Sequence, residues 1–172
     1  AGVYDRGKSR TNRVEAAEVA RGIAEQVLID PTGSIGVVTF GEPFTEAKQA
    51  VGSSCGARSL SHYGFTEGGM VGFSCAAPGA PDDVHLMRDA YALIQVPRRI
   101  GHGGPEVQAF ALTSLLATAP KIMLNLDVGD YGRLERRDCG CPLSRVGLSE
   151  HLSLIRSYEK MSSEGMTFVR SD

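Results

Sequence analysis

Residues 62–69, His-Tyr-Gly-Phe-Thr-Glu-Gly-Gly, put an aromatic ring, a hydroxyl and a carboxylate into one short segment between two strand-like runs. Glycines let the backbone of such a loop approach a ligand closely; a threonine hydroxyl can hydrogen-bond an anion, and a carboxylate can hold a cation. Thr66 and Glu67 are therefore the first candidates for chemistry, with Tyr63 and Gly64 shaping the loop. The competing reading is a glycine-rich hairpin with a solvated glutamate. His62 adjoins the loop and could touch a substrate, but a loop histidine with no chemical role is the simpler reading.

The second group of chemically capable residues is the cysteines, Cys55, Cys75, Cys139 and Cys141. In a reducing compartment the C-x-C pair at 139–141 reads as a metal or redox feature rather than a disulfide. Cys55 reads as core. His151 lies among Leu148, Leu152 and Leu154, so packing is its default role. Arg133, Glu135, Arg136, Arg137 and Asp138 form a mixed charge run of the kind found on a solvated strand face.

The elements that must position these residues follow from periodicity. Ala16, Val19, Ala20, Ile23, Ala24, Val27 and Leu28 share one face at helical spacing, which predicts a helix over 11–30. Asn12 and Glu15 suit a capping box, and Asp30-Pro31 ends the helix because the residue before proline avoids the helical region. Ser34 to Phe40 is a short β-branched apolar run, predicted as a buried strand. A short helix is expected at 45–51, then strands at 57–61, 69–75, 83–87, 91–96, 107–114, 121–126, 131–136, 151–158 and 166–169. Pro78-Gly79-Ala80-Pro81 and Gly101-His102-Gly103-Gly104-Pro105 are the breakers. The expected fold is α/β: an amphipathic helix packed on a mixed β-sheet, with a β-rich C-terminal half.

Composition narrows the class of partner. The 172 residues are 42% hydrophobic and 22% charged, with a net charge of −2, so no electrostatic case exists for nucleic acid or an anionic membrane. No apolar run approaches the ~20 residues that span a bilayer, and the charged, helical first thirty residues do not read as a signal peptide. A cytoplasmic location is the resulting expectation.

Read in order, residues 41–172 resemble the C-terminal part of the large, AMP-binding domain of phenylacetate-CoA ligase-like, adenylate-forming enzymes. Gly41-Glu42-Pro43 is similar to the family's G-E-P loop, and Tyr63-Gly64-Phe65-Thr66-Glu67 to its Y-G-x-T-E loop. Asp83-Val84-His85, Asp89 and Ala92-Leu93-Ile94 resemble its D-x-H…D…I strands, and Leu112-Thr113-Ser114-Leu115 its T-S-L strand. Val128-Gly129-Asp130 corresponds to its T-x-D segment, with Val128 in place of the hydroxyl residue. The resemblance implies an acyl- or aryl-CoA ligase that activates a carboxylate as an acyl-adenylate, using ATP, Mg²⁺ and CoA. Within it, Thr66 would contact the α-phosphate, Glu67 would bind Mg²⁺, Tyr63 would meet the base and Asp130 the ribose. Gly41, Glu42 and Pro43 would lie near the adenine and acyl pocket, and Lys160 near the basic residue before the interdomain hinge.

Two parts of the family pattern have no counterpart here: the Gly- and Ser/Thr-rich phosphate loop upstream of the G-E-P loop, and the C-terminal domain with its lysine. Phosphate charge must be held by donors placed before the reaction begins. The chain is therefore expected not to complete adenylation alone, and to need another chain or domain for the missing parts. The expected partners are a small carboxylate and a nucleotide.

Residues 1–40 resemble a different family. Tyr4-Asp5-Arg6-Gly7-Lys8-Ser9-Arg10-Thr11-Asn12, Glu15-Ala16 and Ser34 to Phe40 are similar to the second RecA-like domain of superfamily-one helicases. That resemblance implies a helicase-derived segment joined near Phe40, and a second functional reading as a non-catalytic or nucleic-acid-binding fragment. Acidic and basic residues balance in this segment, so no basic stripe supports a nucleic-acid face.

The ligase resemblance also sorts the cysteines. It puts Cys75, His85, Cys139 and Cys141 on or beside neighbouring strands, and three thiolates with one imidazole match a closed tetrahedral Zn²⁺ site. The alternative is a small buried Cys75 beside a reduced Cys139-Gly140-Cys141 turn.

Overall fold

A computed structural model describes residues 13–33, 35, 44–56, 58–100, 104–119, 121–157, 160–163 and 166–169. The expected strand at 34–40 and the Gly41-Glu42-Pro43 loop lie outside the described residues, apart from Ile35. Two compact units divide the chain between Ser59 and Leu60.

The first unit contains α1 (Arg13–Ile29) and α2 (Phe44–Cys55), which lie against each other. Helix α1 ends where Pro31 dictates. The Asp30 carboxylate then closes the turn by accepting from the Thr32 hydroxyl and the Thr32 and Gly33 amides. Ala20 and Val51 are its buried apolar side chains among the described residues.

The second unit is strand-rich. Its strands are β1 (Tyr63–Phe65), β2 (Gly69–Ser74), β3 (Val84–Leu86), β4 (Tyr91–Arg99), β5 (Glu106–Ser114), β6 (Leu126–Arg136) and β7 (Glu150–Ser157). They form one sheet in the order β1-β2-β3-β7-β6-β5-β4, and every described pairing is antiparallel. The short helix α3 (Pro142–Arg145) sits in the β6–β7 connection, and β8 (Lys160–Ser163) pairs with β9 (Met166–Val169) as a separate hairpin. The chain is thus α/β with a β-rich C-terminal part, as the sequence predicts.

The core of this unit is built from Val71, Val84, Leu86, Phe110, Leu112 and Leu152, all at most 1% exposed. Burying side chains of this size contributes roughly 1.5–3 kcal/mol each, and they come from β2, β3, β5 and β7. Strand β7 is the insertion that matters: though late in sequence, it lies between β3 and β6. It pairs His85 with His151 on one side and Glu135 with His151 on the other.

Three strand assignments differ from the sequence reading. Residues 58–61 are not strand: Leu60 is exposed, the Ser61 carbonyl accepts from the Ser74 hydroxyl, and the Ser61 hydroxyl donates to the Pro81 carbonyl. Residues 121–125 form an irregular approach to β6. There the Met123 and Asn125 amides are taken up by the Ser114 and Thr113 side chains, and Asn125 adopts a left-handed φ of 49°. Conversely, Tyr63–Phe65, read as loop, is an edge strand. A Cβ on Gly64 would lie 2.5 Å from the Gly69 carbonyl oxygen, so this close hairpin admits only glycine there.

Candidate metal centre and adjoining cleft

Cys75 follows the last residue of β2, and its amide donates to the Asp83 carbonyl, which tightens the β2–β3 connection. His85 is the middle residue of β3, fully buried. Cys139 and Cys141 leave the end of β6 in a turn that reverses at Gly140, whose φ of +70° is the left-handed conformation a C-x-C turn asks of its centre. Asp138 organises that turn by accepting from the Gly140 amide and the Ser144 hydroxyl, contacts that hold its carboxyl below the usual carboxylate range. Cys141 is the N-cap of α3, followed by Pro142 at the first helical position.

These three places in the fold bring four donors together. The sulfurs of Cys75, Cys139 and Cys141 and a ring nitrogen of His85 all lie within 4.8 Å of one another. His85 Nε2 is 3.1 Å from Cys141 Sγ and 3.6 Å from Cys139 Sγ. A tetrahedral ion with metal–sulfur bonds of ~2.3 Å and metal–nitrogen bonds of ~2.0–2.1 Å separates its donors by roughly 3.6–3.8 Å. The observed spacing is therefore what one such ion would bridge with small adjustments. His85 Nδ1–H donates to the Leu148 carbonyl at 2.6 Å, which leaves the Nε2 lone pair for the sulfurs. Metal-bound histidines are oriented by just this kind of backbone partner.

Electrostatics differ between the thiols. Burial would raise the Cys141 thiol, but the Ser144 amide, the Cys139 thiol and the Ala76 and Leu143 amides outweigh it and bring it down to about 6. Cys75 is pushed up to about 11, first by burial and then by Cys139 and Asp83, against an opposing bond from the Ala77 amide. Amides converging on sulfur favour thiolate, the form that binds metal. The cluster has the donors to hold a metal ion, as the sequence reading of Cys75, His85, Cys139 and Cys141 anticipates. Cys55 is not among them; it is half-buried on α2, with its thiol directed to the Val51 carbonyl.

Next to this cluster is a buried network that the sequence reading missed. Asp83 is 3% exposed and His151 0% exposed. Asp83 accepts from His151 Nδ1 at 2.8 Å and from the Arg137 guanidinium. Arg137 Nε also lies 3.2 Å from Glu135 Oε1. The 133–138 charge run is therefore not a uniform solvated face: Arg137 turns inward from the end of β6, and Asp138 structures the C-x-C turn. The available signal was the alternation of the run, which puts Arg137 on the opposite side from Arg136.

The candidate loop residues lie elsewhere on the same sheet. Thr66 and Glu67 are exposed in the turn between β1 and β2, and the Tyr91 hydroxyl donates to the Gly68 carbonyl beside them. Tyr63 is buried and donates its hydroxyl to Asp130 Oδ2 at 2.9 Å. Burial, then the Asp130 charge and the bond to it, push its phenol well up. This bond ties the Tyr-Gly-Phe-Thr-Glu segment to the Val-Gly-Asp segment of β6. Phe65 and Glu67 from the first, and Val128 and Gly129 from the second, line one open cleft of about 450 Å³, closed on another side by Met123. His62 is exposed and packs edge-on against Phe73. Lys160 opens β8 opposite Val169, and its side chain lies outside the described residues.

Comparison with protein-family models and with curated proteins returns no match. No helix among the described residues is long and apolar enough to cross a membrane.

Proposed function

We propose that this chain is a zinc-stabilised β module carrying part of the nucleotide-facing surface of an adenylate-forming, acyl- or aryl-CoA ligase-like enzyme. The observation that carries the reading is the Tyr63–Asp130 hydrogen bond. It joins, across 67 positions of sequence, the two segments whose resemblance to that family concerns the nucleotide, and both segments reach one cleft. Glu67 and Asp127 contribute carboxylates to the lining and Lys121 a cation. An anionic nucleotide would therefore enter together with Mg²⁺, whose preference is for oxygen ligands. Glu67, which lines the cleft, would meet the Mg²⁺; Thr66 and Asp130, which adjoin lining residues without lining the cleft themselves, would meet the α-phosphate and the ribose at its edge. Tyr63 would act by holding Asp130 rather than by offering its buried ring to the base.

Zinc is the metal that three cysteines and one histidine suit, and with all four positions taken by protein it would support the fold rather than react. Cys75, His85, Cys139 and Cys141 would hold it, pinning the β2–β3 connection to the end of β6. ATP, CoA and the carboxylate are ligands of the proposed whole enzyme. Assayed as these 172 residues alone, the chain should bind nucleotide without turning it over, because the residues that carry the resemblance are those of the nucleotide-facing surface. No observation favours the helicase-derived alternative.

Equilibrium dialysis with Mg²⁺-ATP and AMP tests this. Binding should weaken by roughly tenfold or more in Thr66→Val and Glu67→Gln, since hydrogen bonds to charged groups contribute about 1.5–3 kcal/mol. Both residues are exposed, so the variants should fold as the native chain does. Carboxylate-dependent pyrophosphate exchange should be absent. Lack of nucleotide binding at millimolar concentration, or binding indifferent to both substitutions, would contradict the proposal.

A further inference from the structure

Cys75, Asp83 and His151 form a second set of buried donors, again with their ligand atoms within 4.8 Å of one another. This set shares Cys75 with the four-donor cluster, so the two sites adjoin through one sulfur. Two divalent ions bridged by a single thiolate would be an ordinary outcome of such a layout. In the structure, one nitrogen already stands among the three donors: Arg137 Nη2 is bonded to Asp83 Oδ2, lies 3.3 Å from His151 Nδ1 and 3.9 Å from Cys75 Sγ. No other described residue brings a positive charge to all three.

We infer that Arg137 is the resident cation of this second site, occupying it in place of a metal ion, so that the chain takes one metal and not two. The inference rests on the proposed metal reading of the neighbouring cluster and adds what fixes its stoichiometry. Charge explains why a cation belongs there. Three thiolates outnumber the charge of a divalent ion by one, and Asp83 adds another negative charge in a buried place, where an unpaired charge is strongly disfavoured. A guanidinium supplies positive charge and several N–H donors without needing a deprotonated ligand, and it is never itself deprotonated. It can therefore offset one of these two charges, pairing directly with Asp83 and lying 3.9 Å from Cys75 Sγ, while leaving Cys75 lone pairs to the metal of the first site. Arg137 is held in register by its own amide, which donates to the Ser149 carbonyl, and by Glu135 beside its Nε.

Cobalt(II) is the suitable probe, because it accepts the same nitrogen and sulfur donors as zinc and its thiolate complexes absorb in the near ultraviolet. The reduced full chain is titrated with Co²⁺, desalted, and analysed for retained metal. The native chain should retain about one equivalent and Arg137→Met about two, with a new thiolate-to-cobalt band, since the cleared site offers sulfur, carboxylate and imidazole ligands. Arg137→Lys, which keeps the charge, should return the count to that of the native chain, a rescue that a purely structural role would not require. Arg137→Gln carries the same expectation as Arg137→Met should the methionine variant fail to fold. Two tight equivalents in the native chain would overturn the inference without recourse to any variant. One equivalent in native, methionine and glutamine chains alike would overturn it while leaving the metal reading intact. No equivalent in the native chain would overturn both.

Discussion

At the scale of single residues, the cluster depends on a few positions whose roles are separable. Gly140 is one. A Cβ there would meet nothing within 4 Å, yet its φ is +70°, so the constraint is conformational and not steric. Gly140→Val should cost about 1–2 kcal/mol, the ordinary penalty for an L-residue in the left-handed region, and should loosen metal retention. Gly140→Asn should cost less, because asparagine tolerates that conformation. Thermal unfolding of the two variants checks the order; equal losses would point to a side-chain clash that the geometry does not contain. Asp83 is the second such position. Its carboxylate has the His151 ring and the Arg137 guanidinium as partners, with its side chain 2% exposed. Asp83→Ala should destabilise by about 3–5 kcal/mol, as expected when one partner of a buried pair is removed, read as a shift in denaturant midpoint. The donor residues were anticipated through the ligase resemblance, which singled out Cys75, His85, Cys139 and Cys141 from four cysteines and four histidines. Arg137, Asp83 and His151 were not: charged and imidazole side chains are common on strands, and only the placement of β7 beside β3 shows that they meet.

At the scale of elements, β7 carries one of the irregularities of the sheet. The β6–β7 register shifts between Tyr131 and Arg133, and Leu154, an exposed residue of β7, has a φ of +53°. The Asp82 carboxylate fastens this bulge by accepting from the Leu154 and Ile155 amides at 2.9 and 2.8 Å. A bulge of this kind bends a strand and increases its twist. Leu154→Asn should be neutral or stabilising by up to ~1 kcal/mol, because it relieves left-handed strain without removing buried surface. Asp82→Ala should destabilise by roughly 2 kcal/mol, since two amides lose a charged acceptor. Urea unfolding of both variants decides this; a loss of stability in Leu154→Asn would mean that the leucine side chain packs more than its exposure indicates. Sequence patterning located β2, β3, β4 and β5 to within a few residues from their apolar content, and β7 as an extended piece in a stretch without a clean period. It misread 121–125, where side-chain acceptors on Thr113 and Ser114 replace a ladder, and 63–65, where Gly64 disguises an edge strand as a loop. Period alone does not distinguish these cases.

At the scale of the whole molecule, the second unit joins two features at different places on one antiparallel sheet. One is the Tyr63–Asp130 link and its cleft; the other is the four-donor cluster at the β2–β3 connection and the end of β6. Strand β6 runs between them, from Asp130 to the turn that carries Cys139 and Cys141. A metal ion at the cluster would tie the β2–β3 connection to the far end of the strand that presents Asp130, so metal should support stability and, on the proposed function, nucleotide binding. This coupling was not legible in the sequence, because its path through β6 is set by the sheet order. Structural zinc contributes folding free energy directly.

The most direct test of the account is therefore the metal content and chelator response of the reduced chain prepared in zinc-replete buffer. The account predicts about one zinc per chain, loss of that zinc in Cys139→Ser, its retention in Cys55→Ser, and a lowered unfolding temperature when a strong chelator removes it from the native chain. A chain that retains no zinc, or whose unfolding temperature is unmoved by chelation, would contradict it.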